Sequence, residues 1–236
     1  MCLLTDTDLT KLIISEKNWT DKDKLHIFPY NPECLTPVGY DVRVGQQYAS
    51  SIDGELYELK PDDQVIIKPG DTVLITTLED IGMPQNRTVS AFITSKVSKV
   101  SKGLSHISTN IDPDWKGQLL ITLHNPSRNI VSLKYGEAFC TINFIENKTP
   151  SCKDCGKDPG RSDILLKQFL RDVKEAREKE LSTFRSAHRR ILIYKIVIIA
   201  ASGLLGYGIF RSTPGFIATS ALGIALSNII SLPKKE

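Results

Sequence analysis

The chain has 236 residues, room for one good domain plus appendages. Lys and Arg number 30 against 27 Asp and Glu, a formal net charge of +3, and so even a balance argues against a nucleic-acid binder. Five cysteines, three of them isolated at Cys2, Cys34 and Cys140, do not form a secreted disulfide framework.

At the N-terminus, Met1-Cys2-Leu3-Leu4 runs directly into Asp6 and Asp8, a pattern without a signal peptide that points to a reducing cytoplasm. Leu9, Leu12 and Ile13 recur at helical spacing behind Thr5 and Asp6, predicting one short capped helix over residues 7–15. Short β-branched runs follow, broken by turn residues. Val65-Ile66-Ile67, Lys68-Pro69-Gly70-Asp71 and Thr72-Val73-Leu74-Ile75 are one such series, and residues 89–93, 119–123 and 138–144 supply others. This spacing predicts a mainly β sandwich or barrel over residues 1–150. A loop rich in Lys, Asp, Gly and Pro then forms a linker over 151–161, with Cys152-Lys-Asp-Cys155 as half of a zinc site lacking a second pair. No metal or cofactor is expected. Ser162-Asp163 caps a helical pattern over 162–190 in which Leu166, Leu170, Val173, Phe184 and Ala187 keep a spacing that Arg177 and Glu180 interrupt. Both a self-associating stalk and a solvated helix lying on its own domain fit it.

Mean hydropathy is −0.14, yet the apolar residues are unevenly placed. Residues 191–210 are apolar apart from Lys195, and at ~1.5 Å per residue they extend roughly 30 Å, one hydrocarbon core. Arg211-Ser-Thr-Pro214 breaks the pattern, and residues 215–232 form a second apolar stretch ahead of Lys234 and Lys235. A two-helix transmembrane hairpin over 191–232 is therefore expected. Arg185, Arg189, Arg190, Lys234 and Lys235 flank its two ends, so both termini and the β-domain are expected on the cytoplasmic side of the inner membrane. Gly203, Gly206, Ala221 and Ala225 suit close helix packing and oligomerisation in the bilayer.

Four ordered segments carry a resemblance. They are Leu3 to Leu9 with His26-Ile27-Phe28-Pro29-Tyr30; Thr36-Pro37-Val38-Gly39-Tyr40-Asp41-Val42-Arg43-Val44-Gly45; Lys68 to Glu79; and Ile111-Asp112-Pro113-Asp114-Trp115-Lys116-Gly117. Together they resemble the dCTP deaminase/dUTPase family across about residues 3–146. The resemblance implies a distorted β-barrel that trimerises, with active sites at subunit boundaries. It places Asp41 beside the sugar and metal region, Asp112 where dUTPases orient the attacking water, and Trp115 on the sugar. The phosphate motif Arg-Ser-Ser-Leu-x-Arg stands here as Thr94-Ser95-Lys96-Val97-Ser98-Lys99, whose lysines are point charges without the arginine fork. A solvated strand edge fits that run equally, and Asp112 and Trp115 also fit a turn acid and a core aromatic.

The deaminase pattern Gly-His-Ile-Thr-Leu-Glu-Leu-x-Asn appears as Gly117 to Asn125 with Thr122 at the glutamate, and a threonine hydroxyl cannot act as that general base. The fourth motif, Gly136 to Thr141, lacks its glutamine, and the glycine-rich fifth motif is absent. The expectation is therefore a non-enzyme with no catalytic residue, whose Asp41, Ser95, Lys96, Lys99, Asp112, Trp115 and Thr122 bind a nucleotide or cyclic nucleotide. The architecture resembles the two-helix β-domain membrane effectors of bacterial antiphage systems of the Panoptes type. It implies a homotrimer or higher oligomer that senses a nucleotide, disrupts the membrane and binds no nucleic acid. The alternatives are a membrane-tethered dCTP deaminase or dUTPase, and a trimeric scaffold.

Overall fold

The computed structural model describes residues 2–153, 162–210, 217–219 and 221–225. The chain divides into two compact units, Met1–Val173 and Lys174–Glu236.

The first unit is mainly β. It opens with β1 (Cys2–Leu3) and helix α1 (Asp6–Leu12), whose N-cap Thr5 donates from its backbone N–H and its hydroxyl to the Asp8 carboxylate. The helix buries Leu9, and β2 (Ile13–Ile14), β3 (Leu25–Phe28) and β4 (Leu35–Thr36) follow. The long β5 (Gly39–Ser50) buries alternate residues Tyr40, Val42 and Val44. After β6 (Leu56–Glu58) and β7 (Gln64–Ile67), the Lys68-Pro69-Gly70-Asp71 turn closes with Asp71 N–H donating to Lys68 O, and Gly70 takes φ 75°. Then come β8 (Thr72–Gly82), β9 (Val89–Ser95), a single helical turn α2 (Val97–Val100), β10 (Ser105–His106), β11 (Asn110–Ile111), β12 (Lys116–His124), β13 (Val131–Lys134) and β14 (Ala138–Glu146).

Twelve strands form one sheet with the path β10-β12-β8-β5-β14-β9-β11, and β7 and β13 pair separately. Among the described strands the sheet does not close, which corrects the barrel expectation. Its two edge strands, β10 and β11, are consecutive in the chain. They approach across the three residues 107–109 instead of pairing through a ladder. Among the contacts that cross this seam, Ile93 N–H donates to Thr109 O, Ser108 Oγ donates to Ile93 O, and His106 meets both Ser95 and Ile93 O.

The core runs between the faces of this sheet and includes Tyr40, Phe139, Phe144, Ile75 and Ile81. One charged pair lies inside it. Glu79 is fully buried and accepts from Arg43 through Nε (2.6 Å) and backbone N–H (2.9 Å), while Arg43 Nη2 donates to Pro29 O. Burial pushes the Glu79 carboxyl above its ordinary value, more than the Arg43 donors lower it. Helix α3 spans Ser162–Phe210. Its first turns belong to the β unit, where Leu166 is buried and a Cβ on Gly54 would stand 3.9 Å from Val173 Cγ1.

In the second unit Leu192, Ile193, Ile196, Val197, Leu204 and Leu205 are exposed, as are Ile217, Leu222 and Ile224. Residues 217–219 and 221–225 are helical, and a Cβ on Gly223 would lie 2.0 Å from Ser202 Oγ. A glycine is required at that close approach. Among the described residues no helix is long and apolar enough to cross a membrane. The expected hairpin turn and most of the second apolar stretch lie outside the described residues, as does Cys155.

Candidate functional site

Strand β14 lies between β5 and β9, and this order brings together residues far apart in sequence. Thr141 is opposite Asp41 on one side and Thr94 on the other. The Asp41 carboxylate accepts from Thr141 Oγ1 at 2.6 Å through Oδ1, and Lys96 Nζ pairs with its Oδ2. Thr94 Oγ1 donates to Asn143 Oδ1 at 2.8 Å, and Asn143 Nδ2 donates to Val38 O at 2.8 Å. These groups, with Ser95 and Thr36, line a cleft of about 390 Å³. Thr36 Oγ1 is buried there without a hydrogen-bond partner.

Asp41, Ser95 and Lys96 are thus brought together as the sequence suggests. Asp112 is not among them. It lines a second cleft of about 540 Å³ with Ser90, Asn110, Asn147 and Lys148, and the two clefts share no lining residue. Lys99 turns away from both. It is buried, and Nζ pairs with Glu137, whose Oε2 also accepts from Lys134 N–H at 2.8 Å. Burial works to raise the Glu137 carboxyl, but the Lys99 ammonium and the Lys134 N–H outweigh it and hold it below its ordinary value.

Trp115 packs against the core and donates from Nε1 to Gly117 O at 3.1 Å. Thr122 lies on β12 opposite Leu74, on the strand face it shares with His124, whose Nδ1 meets Thr72 Oγ1 at 3.1 Å. Cys140 is buried near Asp41, and burial pushes its thiol up to about 12. Among the described residues no three His, Cys, Asp or Glu side chains cluster as metal ligands.

Sequence reasoning missed His106, whose Nδ1 lies 2.5 Å from Ser95 Oγ, and Thr141, the partner of Asp41. Eleven and 100 residues separate the partners, and only the strand order joins them. A polar residue at 141, where an apolar one would suit a buried strand, was the one available signal.

Residues 3–147 match the dCTP deaminase-like family. A relative named dCTP deaminase from Pyrococcus horikoshii is 34% identical over 133 residues, covering 56% of this chain and 83% of the relative. One of the same name from Thermococcus kodakarensis is 34% identical over 160 residues, covering 68% of this chain and 97% of the relative. These likenesses overturn the expectation of a non-enzyme. That expectation draws on Thr122, the missing glutamine of the fourth motif and the absent fifth motif; of these, losing one general base removes one proton-transfer route, a factor of roughly 10²–10⁴. Phosphate binding and water orientation do not depend on that group.

Proposed function

The chain belongs to the dCTP deaminase-like family, and on that footing we propose that it is an enzyme acting on the triphosphate of deoxycytidine or deoxyuridine. The observation that carries this reading is the match to relatives named dCTP deaminase over 83% and 97% of their length. The cleft between β5, β14 and β9 supports it with a carboxylate, an ammonium and several hydroxyls in one place. Two reactions are open to such a site, removal of the ring amine and hydrolysis of the phosphoanhydride. With threonine at position 122, hydrolysis is the stronger activity. Incubating the full chain with dCTP and dUTP while following ammonia and pyrophosphate tests this. Pyrophosphate released on the order of 1 per second is the expected result, and release of neither product overturns the reading.

The enzyme assembles as a homotrimer in this proposal, since Val97 and Ile107 stand 83% and 74% exposed around the Ser95 and Lys96 end of the cleft, where a second copy would cover them. The exposed apolar residues of 192–205 and the close approach at Gly223 support attachment to the inner membrane, with the β-domain on the cytoplasmic side. A second reading, in which nucleotide binding controls membrane disruption in antiphage defence, would draw on the same apolar residues. Depolarisation of cells expressing the full chain, abolished by removal of residues 191–236, would support it.

A further inference from the structure

Helix α3 changes its charge in mid-course. From Ser162 to Glu180 it holds five acidic and five basic side chains. From Leu181 to Lys235 the chain has no Asp or Glu, and Arg185, Arg189, Arg190 and Lys195 lead a wholly cationic set. The three arginines are exposed, and among the described residues none of them has an ion-pair partner. Arg185 and Arg189 stand one turn apart on the same helix face, with Arg190 next to them. Positive charges gathered this closely, with no counter-charge from their own chain, attract an anion from outside it.

The residues that follow indicate what carries the anion. Leu192, Ile193, Tyr194, Ile196 and Val197 are 50–64% exposed, and at ~3.6 residues per turn they point around the whole circumference of the helix. A groove on a protein covers one stripe of a helix, whereas acyl chains surround it. The depth also fits. Arg185 to Arg190 rises ~7.5 Å along the axis, within the roughly 5–8 Å of one headgroup layer. Tyr194 stands ~6 Å further on, where an amphipathic ring suits the boundary between headgroups and chains. Lys195 is half-buried, and helical side chains lean toward the N-terminus, so its stem carries the ammonium back toward the arginines. We propose that residues 185–195 bind the phosphate headgroups of anionic lipids, with the arginines in the headgroup layer and the residues from Leu192 onward against the acyl chains. Entering that layer does not require the helix to cross the bilayer. The proposal rests on the membrane-attachment reading above and adds to it a lipid class.

A competition between two vesicle populations of different density tests it. One is phosphatidylcholine alone, and the other contains phosphatidylglycerol as a minor component. The full chain is diluted from detergent into an equal mixture of the two, and flotation separates them. Each arginine near an anionic surface is worth about fivefold at low salt, so three should place about 100-fold more protein on the anionic vesicles. At ~0.5 M salt, screening should cut that preference to a few-fold. Arg185→Gln, Arg189→Gln and Arg190→Gln combined should leave the chain attached but spread almost evenly between the populations. An even distribution of the wild type at low salt overturns the proposal and leaves attachment standing. A preference retained by the folded triple variant overturns it too. Should that variant not fold, a wild-type preference unchanged at high salt does so instead. Protein found on neither population, as an oligomer in solution, would overturn both this proposal and the attachment reading, since copies of the helix would then cover one another.

Discussion

At Thr122, β12 presents a hydroxyl on its half-buried face, beside Leu74 of β8 and two residues from His124. If position 122 is where ring deamination takes its proton transfer, restoring a carboxylate should restore that route. Thr122→Glu is expected to raise ammonia release from dCTP by roughly 10²-fold, the scale of a positioned general base, with pyrophosphate release little changed. A coupled ammonia assay on both proteins decides it, and equal rates would separate Thr122 from the chemistry. Lys99 makes the opposite case, a lysine in a phosphate-like motif whose charge is spent on Glu137. Lys99→Met should cost about 1–3 kcal/mol at pH 7, because it strands a half-buried carboxylate. Glu137 has a lowered carboxyl in the folded chain. Its contribution is therefore present above the ordinary glutamate value and is lost as pH falls through the lowered one, below about pH 4. The gap in urea midpoint between wild type and Lys99→Met should accordingly narrow from pH 7 to pH 3. Glu79, raised by burial, slopes the other way, and both proteins share that slope.

Among the elements, β5 and β8 carry the sharpest constraint. Their register shifts between Val44 and Tyr48, and at Gly45 a Cβ would stand 2.5 Å from Thr77 O and 2.6 Å from Thr76 O. Backbone atoms of a central strand cannot retreat, so Gly45→Ala should destabilise the β unit by about 2–3 kcal/mol, visible as a lower thermal midpoint. Stability within about 0.5 kcal/mol of wild type would mean that the two strands can part there. Much at this scale is legible in the sequence. Thr5, Asp6 and Asp8 announce α1, although the helix ends at Leu12, before the predicted residue 15, because Ile13 turns extended to pair with Leu25. The Lys68 to Asp71 turn also forms where its residues indicate. What stays hidden is every feature made by strand order: Thr141 against Asp41, Glu137 against Lys99, and the seam that carries His106 to Ser95. Local residue chemistry specifies turns and strand faces. It does not specify which strands become neighbours, and side-chain partners across neighbours follow from that choice.

For the whole molecule the open question is what covers the apolar surface of the second unit. Leu204 and Leu205 stand 70% and 66% exposed, and Ile217 and Leu222 are 66% and 62% exposed. Residues of this size left in water would each forgo about 1.5–3 kcal/mol of burial, too much for a set of ten or so in a chain of marginal stability. In the proposed attachment lipid is the cover, with Arg185, Arg189 and Arg190 preceding the apolar residues and Lys234 and Lys235 following them. The full chain is therefore expected in the membrane fraction and resistant to alkaline carbonate. A chain ending at residue 190 should leave that fraction while still releasing pyrophosphate from dUTP, because the residues of both clefts precede residue 152. Fractionation followed by immunodetection and a pyrophosphate assay measures both halves of the expectation. A full chain found in the soluble fraction as a large oligomer would instead mean that copies of the helix cover one another. Loss of pyrophosphate release on truncation would mean that the second unit takes part in the reaction, and attachment and catalysis would then be one property of the molecule.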